Sequence, residues 1–389
     1  MRLRMAVLLA VALACAGCGM GDTVRRYLTG GTDNAEPPAP LVAFPTKLKV
    51  IELWSRSTPG VDEKYLKLAP SVTGQHLFIA GPDGDIEAID ATNGEPLWSD
   101  DLDDEYLTGG PGTGENTVLV GTGEGKVIAL NADNGKRLWQ SRLSSEILSP
   151  PLRREGMVVA RTNDGKVFGI DGNTGKRVWV YDRTVPALTL RGTSAPAIDS
   201  GMVIAGFDAG RLAALELRTG KLVWEATVAT ARGRSELERM VDIDSDPLIY
   251  DGVIYVASFQ GQLAAVQMDS GRILWNRDVS SHAGFTVDEN YVYLTDDDSH
   301  IRAFDRFSGS TIWSNEKLHA RGVTGPARVG DYIVVGDVEG YLHWMDRATG
   351  EFVARLQLSD KRIIVQPIVV GKVLYAYSSD GKLAAYTYR

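Results

Sequence analysis

The sequence predicts an all-β chain folded as an eight-bladed β-propeller of four-stranded antiparallel blades. Three observations carry that expectation. One phrase recurs at a fixed phase: "AIDATNGEPLW" at 88–98, "ALNADNGKRLW" at 129–139, "GIDGNTGKRVW" at 169–179, "ALELRTGKLVW" at 214–224, "AVQMDSGRILW" at 265–275 and "AFDRFSGSTIW" at 303–313. A seventh copy, "WMDRATGEFVA" at 344–354, lacks the Trp. Eight apolar runs each lead through a tight turn into another strand, from "LFIAG" and "DGDIEAID" to "VLYAY" and "DGKLAAYT". The turn residues Gly84, Gly125, Gly165, Gly210, Gly261, Ser299, Gly340 and Gly381 mark a period near 41, stretched to 45 and 51 around Gly210. A fixed period of this length is the mark of a repeat architecture.

Each element of one repeat has a local cause. Most copies open on a Pro: Pro70, Pro111, Pro151, Pro196, Pro247, Pro326 and Pro367. The runs that follow are rich in Val, Ile and Tyr, which suit strands. Asp-Gly between two such runs closes a hairpin because Gly takes the positive φ. Asn-Gly and Thr-Gly close the next one. Four strands of about six residues with short turns need roughly 40 residues. A lone sheet of this kind cannot bury both faces, and a closed ring of them does. Small residues within the strands ("IAG", "LAAL") suit close packing near the axis. The last copy ends at "KLAAYTYR", one strand short, and "VIELWSR" near the N-terminus carries Trp54 at the repeat phase. The N-terminal strand is therefore expected to complete the last blade and close the ring. Trp54, Trp98, Trp139, Trp179, Trp224, Trp275 and Trp313 are expected to fill the gaps between blades.

The N-terminus reads as an export segment. Arg2 and Arg4 precede an apolar run too short to span a membrane. Ala16-Gly17-Cys18 resembles the lipobox of bacterial lipoproteins, with Cys15 where Leu is usual. This divides the chain into a signal peptide at 1–17, the lipidated Cys18 with a flexible Gly/Pro-rich tether to residue 45, and a propeller at 46–389. A tether of this length spans on the order of 28 Å. Cys15 and Cys18 are the two cysteines, so the folded part has no disulfide. The formal charge is −9, and loss of Arg2 and Arg4 makes it more negative. That balance excludes nonspecific nucleic-acid binding, which needs basic surface.

Function is expected where the period breaks. The Trp to the next opening Pro is usually 12 or 13 residues, but 17 from Trp179 to Pro196 and 23 from Trp224 to Pro247. Insertions at one phase of adjacent repeats share a rim. "VPALTLRGTSAP" and "ATARGRSELERMVDIDSDP" then bring Leu188, Leu190 and Arg191 near Asp242 and Asp244. Such a set makes either an interface with an apolar centre and a charged rim, or an internal Arg191–Asp pair with the leucines covering a blade junction. Ser235 with Glu238 fits a capping box for a short helix. "DIDSD" opens like a calcium loop, but Pro247 and Val253 stand where an EF-hand needs Gly and Glu. The five His are scattered, and no nucleophile–base motif stands out.

Two resemblances add to this. The Asp-x-x-Thr-Gly-x-x-x-Trp phrase resembles the repeat of the pyrroloquinoline-quinone dehydrogenase propellers, which implies a calcium and a quinone in a central funnel beneath a vicinal disulfide. This chain is shorter and has no Cys after residue 18, so no catalysis, cofactor or metal is expected. A quinoprotein, or a periplasmic ligand-binding propeller, is the alternative. The lipoprotein signal, the cysteine-free eightfold repeat and the phrases "LTLRGTSAP" and "RMVDIDSDP" resemble the BamB family across the whole mature chain. That resemblance implies a non-enzymatic scaffold in the outer-membrane protein assembly (BAM) complex. It would be anchored by Cys18 at the periplasmic face of the outer membrane. It would bind the POTRA domains of BamA, other subunits and unfolded outer-membrane proteins. Its contact residues would be Leu188, Leu190, Arg191, Asp242 and Asp244. Pairing of blade edges with extended client strands is a further expectation.

Overall fold

Strands are the only regular elements among the described residues of the computed structural model, which are 36–61, 66–103, 105–183, 194–230, 241–243 and 245–389. They form eight sheets arranged as a propeller. Blade 1 runs up and down through Ser71–Thr73, His76–Ala80, Asp85–Asp90 and Pro96–Asp101. Blades 2 to 7 repeat this, beginning at Leu107, Leu152, Ala197, Leu248, Phe285 and Ala327. The short strand Lys67–Leu68 adds a parallel fifth member to blade 2. Blade 8 takes Ile368–Val370, Val373–Tyr377 and Lys382–Tyr388 from the C-terminus and its outer strand, Val50–Ser57, from the N-terminus. That outer pair runs antiparallel from Val50↔Tyr388 to Ser57↔Lys382. The ring closes as the sequence predicts.

The second strand of a blade is buried on both faces, as in Met157–Arg161. This is why it reads as an unbroken apolar run rather than an alternation. The outer strand follows another rule. In every blade its pairing skips the residue before the Trp position: Leu53, Leu97, Leu138, Val178, Val223, Leu274, Ile312 and Val353. Each is the extra residue of a β-bulge, which re-aims the residue after it. The bulge turns the Trp inward against a small residue directly across the ladder: Ala385 faces Trp54, Ala88 faces Trp98, Ala129 faces Trp139, Gly169 faces Trp179 and Ala214 faces Trp224. The small residues of the "LAAL" type were expected near the axis. They lie instead on the third strand, where they make room for the Trp.

Each Trp also joins its blade to the next. The Trp139 Nε1 donates to Gly172 O at 2.9 Å, and its ring lies on Gly175. Gly175 has φ +70°, and a Cβ there would sit 2.7 Å from that ring. The relation recurs from Trp54 and Gly94 through Trp313 and Gly350. It stops between blades 7 and 8. There the third and fourth strands are joined by no turn. Lys49, just before the closing strand, and Arg389 pair through Arg389 N to Lys49 O at 3.0 Å and Lys49 N to Arg389 O at 3.3 Å. A Trp on blade 7 would have no turn glycine to cover and no turn carbonyl to reach. The size order is inverted instead: Trp344 on the third strand faces Ala354 on the fourth. Trp344 packs with Tyr332 and Tyr388. The Trp of blade 7 has moved across the ladder.

Pro38–Arg389 forms one compact unit. Leu41 and Phe44, in the stretch read as tether, pack on the core of blades 6 and 7. The signal segment, Cys18 and the helix expected after Ser235 lie outside the described residues.

Candidate functional site

The two long connections leave the same rim, after the outer strands of blades 3 and 4, and their roots are built from buried groups except for the exposed Asp246. Ser194 and Ala195 end the first. Val241, Asp242, Ile243, Ser245 and Asp246 end the second. The roots touch: Asp246 Oδ1 accepts the Ala195 N–H at 2.6 Å. It also accepts Lys67 Nζ at 3.1 Å, from the strand beside blade 2. One carboxylate therefore joins both connections to a third part of the ring. This agrees with the prediction from phase that the two connections are neighbours.

Val241 and Ile243 are buried, and Ile243 joins the core between blades 4 and 5. Asp242 lies between them, 4% exposed. Its Oδ1 accepts Ala209 N at 3.3 Å and its carbonyl accepts Phe259 N at 3.0 Å. On the other root, Arg161 is buried and its Nη1 donates to Ser194 Oγ at 3.1 Å. Its guanidinium lies 5.1 Å over the Phe207 ring, and Arg183 lies 5.6 Å from the same ring. Arg161 is 3.9 Å from Asp208. Burial pushes the Asp208 carboxyl above its ordinary range; Arg161 opposes the rise and the neighbouring Asp242 adds to it. Two acids and two guanidinium groups thus lie together at the roots. They brace the roots, and no nucleophile–base pair accompanies them among the described residues.

Of the predicted contact residues, Asp242 is in the buried root. Leu188, Leu190, Arg191 and Asp244 lie outside the described residues. Sequence reasoning weighed Asp246 only as part of a calcium-like loop, and passed over Lys67, Arg161 and Phe207. Asp246 was visible in "DIDSD", directly before the Pro that opens blade 5. Nothing local marked Lys67, whose partner is 179 positions away. Asp246→Ala is expected to speed hydrogen exchange at the Ala195 amide while leaving the strands of blades 4 and 5 as protected as before, read by exchange mass spectrometry.

Among the described residues, one group has metal-ligand spacing: Asp296, Asp298 and His300. The acceptors of Asp296 are engaged. Asp296 Oδ1 accepts Asp298 N and His300 N at 3.1 and 2.8 Å, and Oδ2 accepts Arg302 Nε at 2.8 Å. These bonds brace the hairpin in which Ser299, at φ +67°, stands for the usual Gly. Asp296 is thus a turn support.

The sequence profile described as outer membrane protein assembly factor BamB matches residues 82–315 and 297–389. The assembly factor BamB of Pseudomonas aeruginosa is 40% identical over 385 residues, covering 99% of this chain and 98% of its own. That of Yersinia pestis is 33% identical, covering 98% and 97%. The crystal structure of BamB from Moraxella catarrhalis superposes with a TM-score of 0.79 at 31% identity, covering 87% of this chain and all of its own. A quinohemoprotein alcohol dehydrogenase from Pseudomonas putida superposes at 0.66 with 14% identity, which speaks to the fold alone. With a matching profile over most of its length and full-length relatives at this identity, the chain belongs to the family of the outer membrane protein assembly factor BamB.

Proposed function

We propose that the chain is a non-enzymatic scaffold of the BAM complex that docks POTRA domains of BamA through the rim of its two long connections. Family membership gives the coarse role, outer-membrane protein assembly. The observation that supports the finer reading is the Ala195–Asp246 bond, which ties the two roots together on a rigid ring. Loops fixed on a rigid scaffold are where binding concentrates. Leu188, Leu190, Arg191 and Asp244 supply the contact in this reading, and the buried Asp242 holds the root in place. Cys18 carries the lipid that keeps the domain at the periplasmic face. Client strands would meet kinked edges, because each outer strand is bulged before its Trp position, and a kinked edge opposes long continuous pairing.

The test is a pull-down of the mature chain with purified POTRA domains. Arg191→Glu, and Leu188→Asp with Leu190→Asp, are each expected to weaken binding by 30-fold or more, since a central anchor contributes about 2 kcal/mol or more. The circular dichroism of the ring should stay unchanged. Undiminished binding by both variants would overturn the assignment of the rim.

A further inference from the structure

We propose that the outer face of blade 7 is a peptide-binding groove that residues 39–48 of the same chain fill in cis. Its ligand in trans is an extended segment of another polypeptide carrying an aromatic side chain. This does not rest on the docking reading above, which concerns the connections that follow blades 3 and 4.

Blade 7 differs from its neighbours in one respect. Seven bulge residues, Leu53 through Ile312, are 40 to 53% exposed, while Val353 at the same place is 6% exposed. The cover is the N-terminal strap. Lys47 N and Leu48 N both donate to Val353 O, at 2.8 and 3.3 Å, at the bulge. Further along, Ala39 N donates to His319 O at 3.0 Å, Arg321 Nη1 donates to Ala39 O at 2.8 Å, and Arg355 Nη1 donates to Val42 O at 3.1 Å. All five bonds go to main-chain atoms of the strap, so they read an extended backbone and not its sequence. Side-chain selection comes mainly from Phe44. It stacks on Phe352 with centroids 5.3 Å apart, and the Arg355 guanidinium lies over both rings at 4.9 and 5.4 Å.

The two guanidinium groups are set in advance by the ring. Arg321 is 2% exposed and pairs with Asp337 at 2.8 Å and with Glu339. Arg355 Nε donates to His343 Nδ1 at 3.1 Å. The other His343 nitrogen must then carry the proton and donate to Asp337 Oδ2, 2.9 Å away. Asp337 and His343 are fully buried. Burying such a network is costly, and an apolar cover over a chain end would need none of it. What the network does is aim two forked donors at carbonyls on the surface. The strap does not use them all, for Arg355 Nη2 is buried without an acceptor among the described residues. A ligand placing a carbonyl or carboxylate there would fit better than the strap.

The strap is also suited to leave. Pro40 and Pro45 lack N–H groups, so it makes a poor ladder strand. Proline-rich segments of this kind are already extended when free and lose little entropy on docking. Its release would leave the outer strand of blade 8, Val50–Ser57, paired. A ligand in trans competes with a strap at an effective concentration of about millimolar. Its apparent affinity falls by the fraction of time the groove is open.

The test uses the full mature chain and a fluorescein-labelled peptide with the sequence of residues 36–49, read by fluorescence anisotropy. The wild type should bind it weakly. Phe44→Ala in the protein loosens the strap and should tighten binding at least tenfold. Leu41→Ala, which loosens the strap from the same core, is the independent check should Phe44→Ala disturb the ring by circular dichroism. Adding Arg355→Ala to either should undo the gain, and a peptide with Ala for its Phe should bind at least tenfold more weakly. No gain on loosening the strap, or a gain indifferent to Arg355, would overturn the groove.

Discussion

Trp139→Ala is expected to destabilise the ring by about 3–5 kcal/mol, the range for truncating a buried aromatic. The side chain is 8% exposed and touches both blades it joins. Its loss opens a cavity and removes the donor to Gly172 O. It also uncovers Gly175, whose left-handed conformation only a residue without Cβ can hold against that ring. With an unfolding entropy of about 2.1 cal/mol/K per residue over a ring of roughly 350 residues, the midpoint of thermal unfolding should fall by about 4–7 °C. The companion substitution is Ala354→Trp, which restores the repeat consensus in blade 7. A consensus argument predicts a gain. The structure predicts a loss of about 1–3 kcal/mol, because Trp344 already occupies the space across the ladder and a new ring overpacks it. Blade 8 has no turn carbonyl to accept the new N–H. Calorimetry on both variants decides the matter, and a stabilised Ala354→Trp protein would mean that the inversion is not what fills this junction.

That contrast shows where sequence reading stops. The blade number, the closing strand and the role of the Trp series were legible because each rests on a local signal that recurs around the ring: a turn glycine in seven copies, an apolar run in eight and a Trp at one phase in seven. The inversion at Trp344 and Ala354 was not, because it is a property of a pair of strands. Read along one strand, position 354 has simply lost its Trp. Read across the ladder, the ring volume is kept. The bulges were hidden for the same reason, since an extra Leu or Val before the Trp looks like ordinary strand. At the rim, phase alone predicted that the two connections adjoin, and the Ala195–Asp246 bond agrees. The acids of "DIDSD" read in sequence as contact groups or as partners of Arg191, yet Val241 and Ile243 draw Asp242 into the junction of blades 4 and 5. The strap was hidden most deeply. Its composition reads as linker, and the groups that hold Ala39 and Val42 lie 282 and 313 residues further along the chain.

Asp337→Asn tests how those distant groups are held, and its effect should rival that of Trp139→Ala. The substitution keeps the shape and removes the charge on which the buried Arg321 and His343 depend. Breaking one side of a buried, hydrogen-bonded ion pair costs up to about 3–5 kcal/mol, because the remaining charge stays desolvated, and Glu339, which also pairs with Arg321, offsets part of that cost. The pH dependence identifies the cause. Burial alone would push the Asp337 carboxyl up, but hydrogen bonds from His343, Tyr341 N and Arg321 outweigh it and hold the group below the usual carboxylate range. A carboxyl depressed in the folded state contributes stability that is complete above the unfolded value of about 3.9 and is lost as pH falls toward the folded one. The difference in unfolding midpoint between wild type and variant should therefore be flat from about pH 5 to 8 and shrink below about pH 4. Asparagine cannot ionise, so the shrinkage comes from the wild type alone. A gap that persists unchanged to pH 3 would show that packing, and not the carboxylate, holds the guanidinium groups in place. A gap that closes would mean the donors aimed at the strap are set by one buried charge.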